Sequence, residues 1–97
     1  MVKVSWTEEA LQWLEEIFEY IATENPQAAT RVVAGIFERA QILVEFPEIG
    51  YRYQPSRRAV RILLYGHYRI AYLKKPDGGV DILGVFHAAL DISRYKL

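Results

Sequence analysis

The chain has 97 residues, of which 52% are hydrophobic and 25% charged, and its 12 Lys and Arg balance its 12 Asp and Glu. That is one globular domain, and the zero net charge disfavours a globally basic nucleic-acid binder while leaving a local basic patch open. The absence of cysteine excludes disulfide scaffolds, thiolate zinc sites and cysteine nucleophiles, and the two histidines are too few for a multi-histidine metal centre.

The opening residues, MVKVSWTEEA, carry no long apolar run and no small-residue cleavage site. No segment approaches the roughly 20 apolar residues of a membrane span. A cytoplasmic protein without membrane association is expected. Residues 2–6 alternate briefly and predict a first strand. Thr7 then stands before Glu8 and Glu9, an N-cap hydroxyl followed by first-turn acids, which predicts a helix start. Ala10, Leu11, Leu14, Ile17, Phe18 and Ile21 fall on one helical stripe, with Gln12, Glu15, Glu16 and Glu19 off it. This helix stops near Glu24. Asn25-Pro26 restarts a second one, asparagine at the N-cap and proline at N1. Its stripe is Ala29, Val32, Val33, Ile36, Phe37, Ala40, Leu43 and Val44, and it ends before Phe46-Pro47. The short connection predicts an antiparallel helical hairpin.

Residues 49–55 read as a loop punctuated by Gly50 and Pro55. Three strands follow, at 59–64, 67–73 and 80–86, joined by a turn at Tyr65-Gly66 and another at 74–79. Short turns predict an antiparallel meander, with residues 2–6 added to the same sheet. The order β-α-α-β-β-β defines an α+β domain whose helical hairpin packs on one face of an antiparallel sheet.

Both sheet faces are substantially apolar. Val60, Ile62 and Leu64 alternate with Ala59, Arg61 and Leu63; Tyr68, Ile70 and Tyr72 with Arg69, Ala71 and Leu73. Strict alternation sets Val80, Ile82 and Phe86 against Leu83 and Val85. Two helices cover one face only, so the tail or another chain must cover the other. Trp13 and Tyr20 lie off the first helix's stripe. These features balance between a partner-binding surface and a thick core with amphipathic tyrosines.

Four segments carry a resemblance. Trp6-Thr7-Glu8-Glu9-Ala10 opens the first helix and Asn25-Pro26-Gln27-Ala28-Ala29 the second. Leu43-Val44-Glu45-Phe46-Pro47-Glu48-Ile49-Gly50 closes the second. Tyr68-Arg69-Ile70-Ala71-Tyr72 and Val80-Asp81-Ile82-Leu83-Gly84-Val85-Phe86-His87 form the sheet and its end. As an ordered set over nearly the whole chain, they resemble toxins of the RelE/ParE superfamily from type II toxin–antitoxin modules. The resemblance implies a cognate antitoxin whose C-terminal segment wraps the toxin as helix and strand. It leaves three functions. A ParE-like chain poisons DNA gyrase, a RelE-like chain cuts mRNA on the ribosome, and a detoxified module binds its antitoxin and represses their promoter. The long hairpin and the ending at His87 are similar to the ParE branch, which is the leading expectation. No cofactor is implied.

Under the RelE-like alternative, Arg69, with Arg61 and Tyr95, would be catalytic. Arg69 matches the arginine of the YR-x-x-Y strand. The second arginine expected beyond the last strand is missing, since Ala88, Ala89 and Leu90 follow His87. An ion pair to Asp81 or Asp91 is the competing role for Arg69. Arg61 should lie on the opposite sheet face from Arg69. Candidate target contacts are Arg52, Arg57 and Arg58 in an aromatic-rich loop, His87, and Asp91, Arg94 and Tyr95 in the tail. For the loop, nucleic acid, an acidic antitoxin and plain solvation all stay open. His87 reads as a general acid–base or, more simply, as a hydrogen-bonded anchor of the tail. His67 reads as solvated. Candidate antitoxin contacts are Trp13, Tyr20, Leu73, Leu83 and Val85.

Overall fold

In a computed structural model of the chain, residues 3–89, 95 and 97 are described. Helix α1 spans Glu8–Ala22 and α2 spans Pro26–Ala40. Both begin as their capping residues dictate. Thr7 Oγ1 accepts from the Ala10 N–H at 3.1 Å, and Asn25 Oδ1 from the Ala28 N–H at 3.0 Å. Thr7 has a second role, because its hydroxyl donates to the Ile82 carbonyl at 2.8 Å and ties the start of α1 to the sheet. After Ala40 the chain tightens into a 3-10 turn, Gln41–Val44, so α2 is shorter than its apolar stripe implies.

Five strands form one sheet: β1 Val4–Trp6, β2 Tyr51–Arg52, β3 Val60–Tyr65, β4 Tyr68–Lys74 and β5 Val80–His87. Their order is β1-β5-β4-β3-β2, with β1 parallel to β5 and every other pair antiparallel. This is the expected α+β architecture, with additions. Strand β2 lies inside the segment read as loop; two residues pairing with β3 leave no periodicity to detect. Val2, placed in the first strand from sequence, lies outside the described residues. The β3–β4 turn is Gly66-His67 rather than Tyr65-Gly66, since Tyr65 pairs with Tyr68. Gly66 takes φ +55°, a conformation that suits the first central position of a tight hairpin.

The main core lies between the hairpin and the sheet and contains Leu14, Ile36, Leu43, Ile70, Tyr72 and Ile82, all buried. A smaller core of Ile62, Ala71 and Phe86 occupies the other face, beneath Tyr53, Leu83, Leu97 and Trp13. Two expectations are corrected here. Ala71 pairs with Gly84 but Tyr72 with Ile82, so Leu83 is an extra residue in β5. This bulge reverses the alternation: Val85 joins Val80 and Ile82 in the main core, and Phe86 moves to the other face. On α1, Leu11 and Phe18 remain exposed at 45% and 37%, whereas Trp13 packs against both cores. The buried stripe is rotated towards Trp13 because α1 packs against β5 near one edge of the sheet.

Tyr72 fixes the long connection to the sheet. Its buried hydroxyl donates to the Pro47 carbonyl at 2.8 Å and accepts from the Gly50 N–H at 3.0 Å. Arg61 completes the clamp by donating to the Gly50 and Glu48 carbonyls at 2.7 and 3.2 Å. Burial raises the Tyr72 pKa above its ordinary value; the Gly50 hydrogen bond and the Arg61 charge pull against that. A raised folded-state pKa favours the neutral phenol. Its contribution to stability is therefore complete below the unfolded pKa of about 10 and declines as pH rises through the folded value. Tyr72→Phe should cost about 1–3 kcal/mol at pH 7 by leaving buried backbone groups unsatisfied. It should also give a shallower loss of stability above pH 10. Urea unfolding from pH 7 to 11 measures both.

Candidate functional site at the open edge of the last strand

The site arises from a mismatch in strand length. Strand β5 has eight residues, but β1 pairs only with Val80, Asp81 and Ile82. Beyond them, residues 83–87 have no neighbouring strand on that side among the described residues. The second half of α1 passes over this stretch and leaves a cleft of about 430 Å³. Ile17 and Ile21 of α1, Tyr68 of β4 and Val85 of β5 line it with apolar surface. Trp13, Glu16, Tyr20 and His87 complete its rim. Tyr20 is 84% exposed and contributes almost nothing to the fold. Burial raises the Tyr68 pKa, with the neighbouring Tyr20 adding to the effect. A groove of this kind offers an apolar floor beside a strand edge that no other described strand covers, the combination that accepts an amphipathic helix or an added strand.

His87 stands at the rim of the cleft, and His67 lies beside it. Their rings stack with centroids 6.2 Å apart, and Tyr68 meets His87 edge-on at 5.5 Å. His87 Nδ1 accepts from the Ala89 N–H at 3.1 Å, which anchors the chain as it leaves β5. His67 is exposed, as expected of a solvated residue, and is in addition a ring partner of His87.

The residues named for nucleolytic chemistry are not gathered together. Arg61 pairs across the strands with Tyr72 and serves the loop clamp on the hairpin side. Arg69 pairs with Leu64 on the opposite face, as expected because the shifted turn moves the register by two residues and keeps the faces, and donates to the carbonyls of His87 and Ala88 at 3.5 and 3.3 Å. Asp81, offered as its ion-pair partner, instead sits 3.4 Å from Lys75. Tyr95 packs against Trp13 and Phe86 at 5.4 and 5.5 Å, on the side of the smaller core. Asp91 and Arg94 lie outside the described residues. Among the described residues no cluster of three His, Asp or Glu side chains could hold a metal ion, and no helix is long and apolar enough to cross a membrane.

Of the proposed partner contacts, Tyr20 is exposed and lines the cleft, while Trp13 is half-buried at its rim. Leu83 and Leu73 are half-buried elsewhere on the sheet. Val85 is fully buried in the main core beneath the cleft, which corrects its assignment to an exposed face. Sequence reasoning missed Ile17, Ile21 and Tyr68 as lining residues, because each also sits on a pattern that predicts core. The available signal was the short β1 beside the longer β5. Arg52, Arg57 and Arg58 are exposed; Arg52 lies on the edge strand β2, and Arg57 and Arg58 on the connection to β3, with Arg58 beside Leu83 and Leu97.

A two-helix hairpin on this sheet, with a cleft along its last strand, defines the toxin fold of type II toxin–antitoxin modules. A chain of the ParDE system of P. aeruginosa superposes with a TM-score of 0.73 over 90% of this chain and 96% of its own, at 24% identity. A chain of the RelBE2 toxin–antitoxin complex of Mycobacterium tuberculosis gives 0.65 over 89% and 96%, at 25% identity. In sequence, Y4kP of Sinorhizobium fredii is 39% identical over 89 residues, covering 89% of this chain and 88% of its own length. Toxin RelE2 of Caulobacter vibrioides is 35% identical over 89 residues, covering 92% and 98%. The model of the ParE toxins of type II parDE toxin–antitoxin systems matches residues 4–92, and the chain belongs to that family.

Proposed function

We propose that the chain is a ParE-like toxin that poisons DNA gyrase and is held inactive by a cognate antitoxin seated in the α1–β5 cleft. The observation that carries the ParE-like reading over the nuclease is the placement of the basic residues. A nuclease needs its cations converging on one phosphate. Here Arg61 and Arg69 serve opposite faces of the sheet, and Arg61 is committed to the carbonyls of the 47–50 connection. Binding to one state of a target needs no such convergence, only a surface complementary to that state.

An antitoxin suits the cleft for two reasons. The neighbouring folds come from a ParDE system and a RelBE2 toxin–antitoxin complex. The cleft also joins an apolar floor to an open strand edge, so a segment that folds on binding could satisfy both. The resemblance to RelE2 of C. vibrioides keeps the ribosome-dependent nuclease as the second reading.

Purified chain, freed of antitoxin, should be added to a gyrase supercoiling reaction and, in parallel, to a translation reaction. Lost supercoiling with accumulated cleaved DNA and normal translation is the expected result. Arrested translation with cut mRNA, abolished in Arg69→Ala, would move the assignment to the nuclease. Silence in both from folded protein would leave an antitoxin-binding module.

A further inference from the structure

The zero net charge conceals two opposed halves. Between residues 7 and 48 there are nine Glu against two Arg, whereas residues 49–76 contain five Arg, two Lys and no acid. The hairpin side is acidic and the sheet carries the cations. Most of those cations are engaged. Lys74 is 2.9 Å from Glu48, Lys75 is 3.4 Å from Asp81, and Arg61 and Arg69 bond backbone carbonyls.

The other three, Arg52, Arg57 and Arg58, are exposed and lie on one short segment, where Arg52 bonds only a carbonyl of that same segment among the described residues. That segment is pinned. Ser56 is buried, its hydroxyl donates to the Leu97 carbonyl at 2.7 Å and accepts from the Arg58 N–H at 3.1 Å. Arg52 Nη2 donates to the Arg58 carbonyl at 3.3 Å, holding the two ends of the segment together. Tyr53 packs against the smaller core. None of the three arginines forms an ion pair among the described residues. Glu8 and Glu9 border the same shallow cleft as Arg58 but do not come within ion-pair distance.

We infer that this segment is a phosphate-backbone contact for duplex DNA, carried on the connection from β2 to β3, with Arg58 bordering the outer-face cleft lined by Leu83 and Leu97. Guanidinium groups suit phosphate because their planar donors bind its oxygens in pairs. A duplex fits better than a single strand. Single-strand sites stack successive bases on a row of aromatic rings, and here Tyr51 is exposed but Tyr53 is packed beneath the sheet. The contact is small, with three cations and two acids close by, so affinity should be weak and strongly dependent on salt. The assignment rests on the basic segment and not on the identity of the toxin's target.

Fluorescence anisotropy of a labelled 20-bp duplex, titrated with the full chain in the absence of gyrase and antitoxin, tests it. Three phosphate contacts predict a slope of about −2.7 in log K against log salt, a loss of about 40-fold between 50 and 200 mM salt. Arg57→Gln with Arg58→Gln should weaken binding at least tenfold at 50 mM salt and reduce the slope to about −0.9. Arg31→Gln, which removes one charge from the exposed side of α2, should change neither. Absence of binding at 50 mM salt, an unaltered slope in the double variant, or equal displacement by a polyglutamate peptide would each overturn the inference. The last would assign the segment to an acidic protein instead.

Discussion

Gly50→Ala should lower the unfolding free energy by about 3 kcal/mol and the melting temperature by about 12–20 °C. A β-carbon at this position would lie 2.7 Å from the Ile62 carbonyl oxygen and 2.8 Å from both the ring and the hydroxyl of Tyr72. Neither neighbour has room to give. The first is backbone of β3; the second is a fully buried ring held by hydrogen bonds to Pro47 and Gly50 itself. The strain therefore spreads into the clamp that joins the 47–50 connection to the sheet. Gly35 makes the contrast. A β-carbon there would meet the Tyr65 hydroxyl even more closely, but that is the far end of a half-buried side chain. Tyr65 packs against the main core, so displacing its ring carries a cost, but alanine is better than glycine in the helix by about 0.8–1.0 kcal/mol and offsets it. Gly35→Ala should thus stay within about 1 kcal/mol of the parent on the same grounds of offsetting strain and propensity. Thermal melts of both variants test the pair. A Gly50→Ala melt within ~3 °C of the parent would mean that the connection is not clamped as described.

The contrast between these glycines shows what the sequence makes legible. Thr7, Asn25 and Pro26 announce their helices by local chemistry, since each supplies a cap or a fixed backbone angle to its own few residues. The three long strands declare themselves by composition and by the turns between them. Gly50 reads only as punctuation, because its reason is Tyr72, 22 positions further on and meeting it only in the folded chain. The bulge at Leu83 is hidden in the same way. A single extra residue leaves local composition unchanged while exchanging the faces of Val85 and Phe86. The site suffers most from this. Tyr20 stood out because it is off the buried stripe, but Ile17, Ile21 and Tyr68 line the cleft with residues that any core pattern contains. What makes them a site is that β1 stops short of the end of β5, a tertiary fact about which strands are adjacent.

Tyr20→Ala should weaken antitoxin binding by about 30-fold or more while leaving the melting temperature unchanged within a degree or two. The two halves of that expectation have one cause. A side chain 84% exposed buries too little surface to stabilise the free chain, so truncation removes nothing from the fold. The same ring stands at the rim of an apolar cleft with Tyr68 and Ile21 beside it. When a partner segment fills the cleft, the ring is covered by it and buried against Tyr68 and Ile21, and buried aromatic rings dominate interface energetics. Trp13→Ala provides the opposite case. Trp13 touches both cores and packs on Phe86 and Tyr95, so its loss should cost about 2–4 kcal/mol of stability before any partner is considered. In cells, Tyr20→Ala should escape an antitoxin supplied at a level that neutralises the parent. Titration calorimetry with the cognate antitoxin's C-terminal segment separates the possibilities. Unchanged affinity in a stable Tyr20→Ala variant would place the antitoxin elsewhere, and the half-buried Leu83 on the opposite sheet face would then be the next position to truncate.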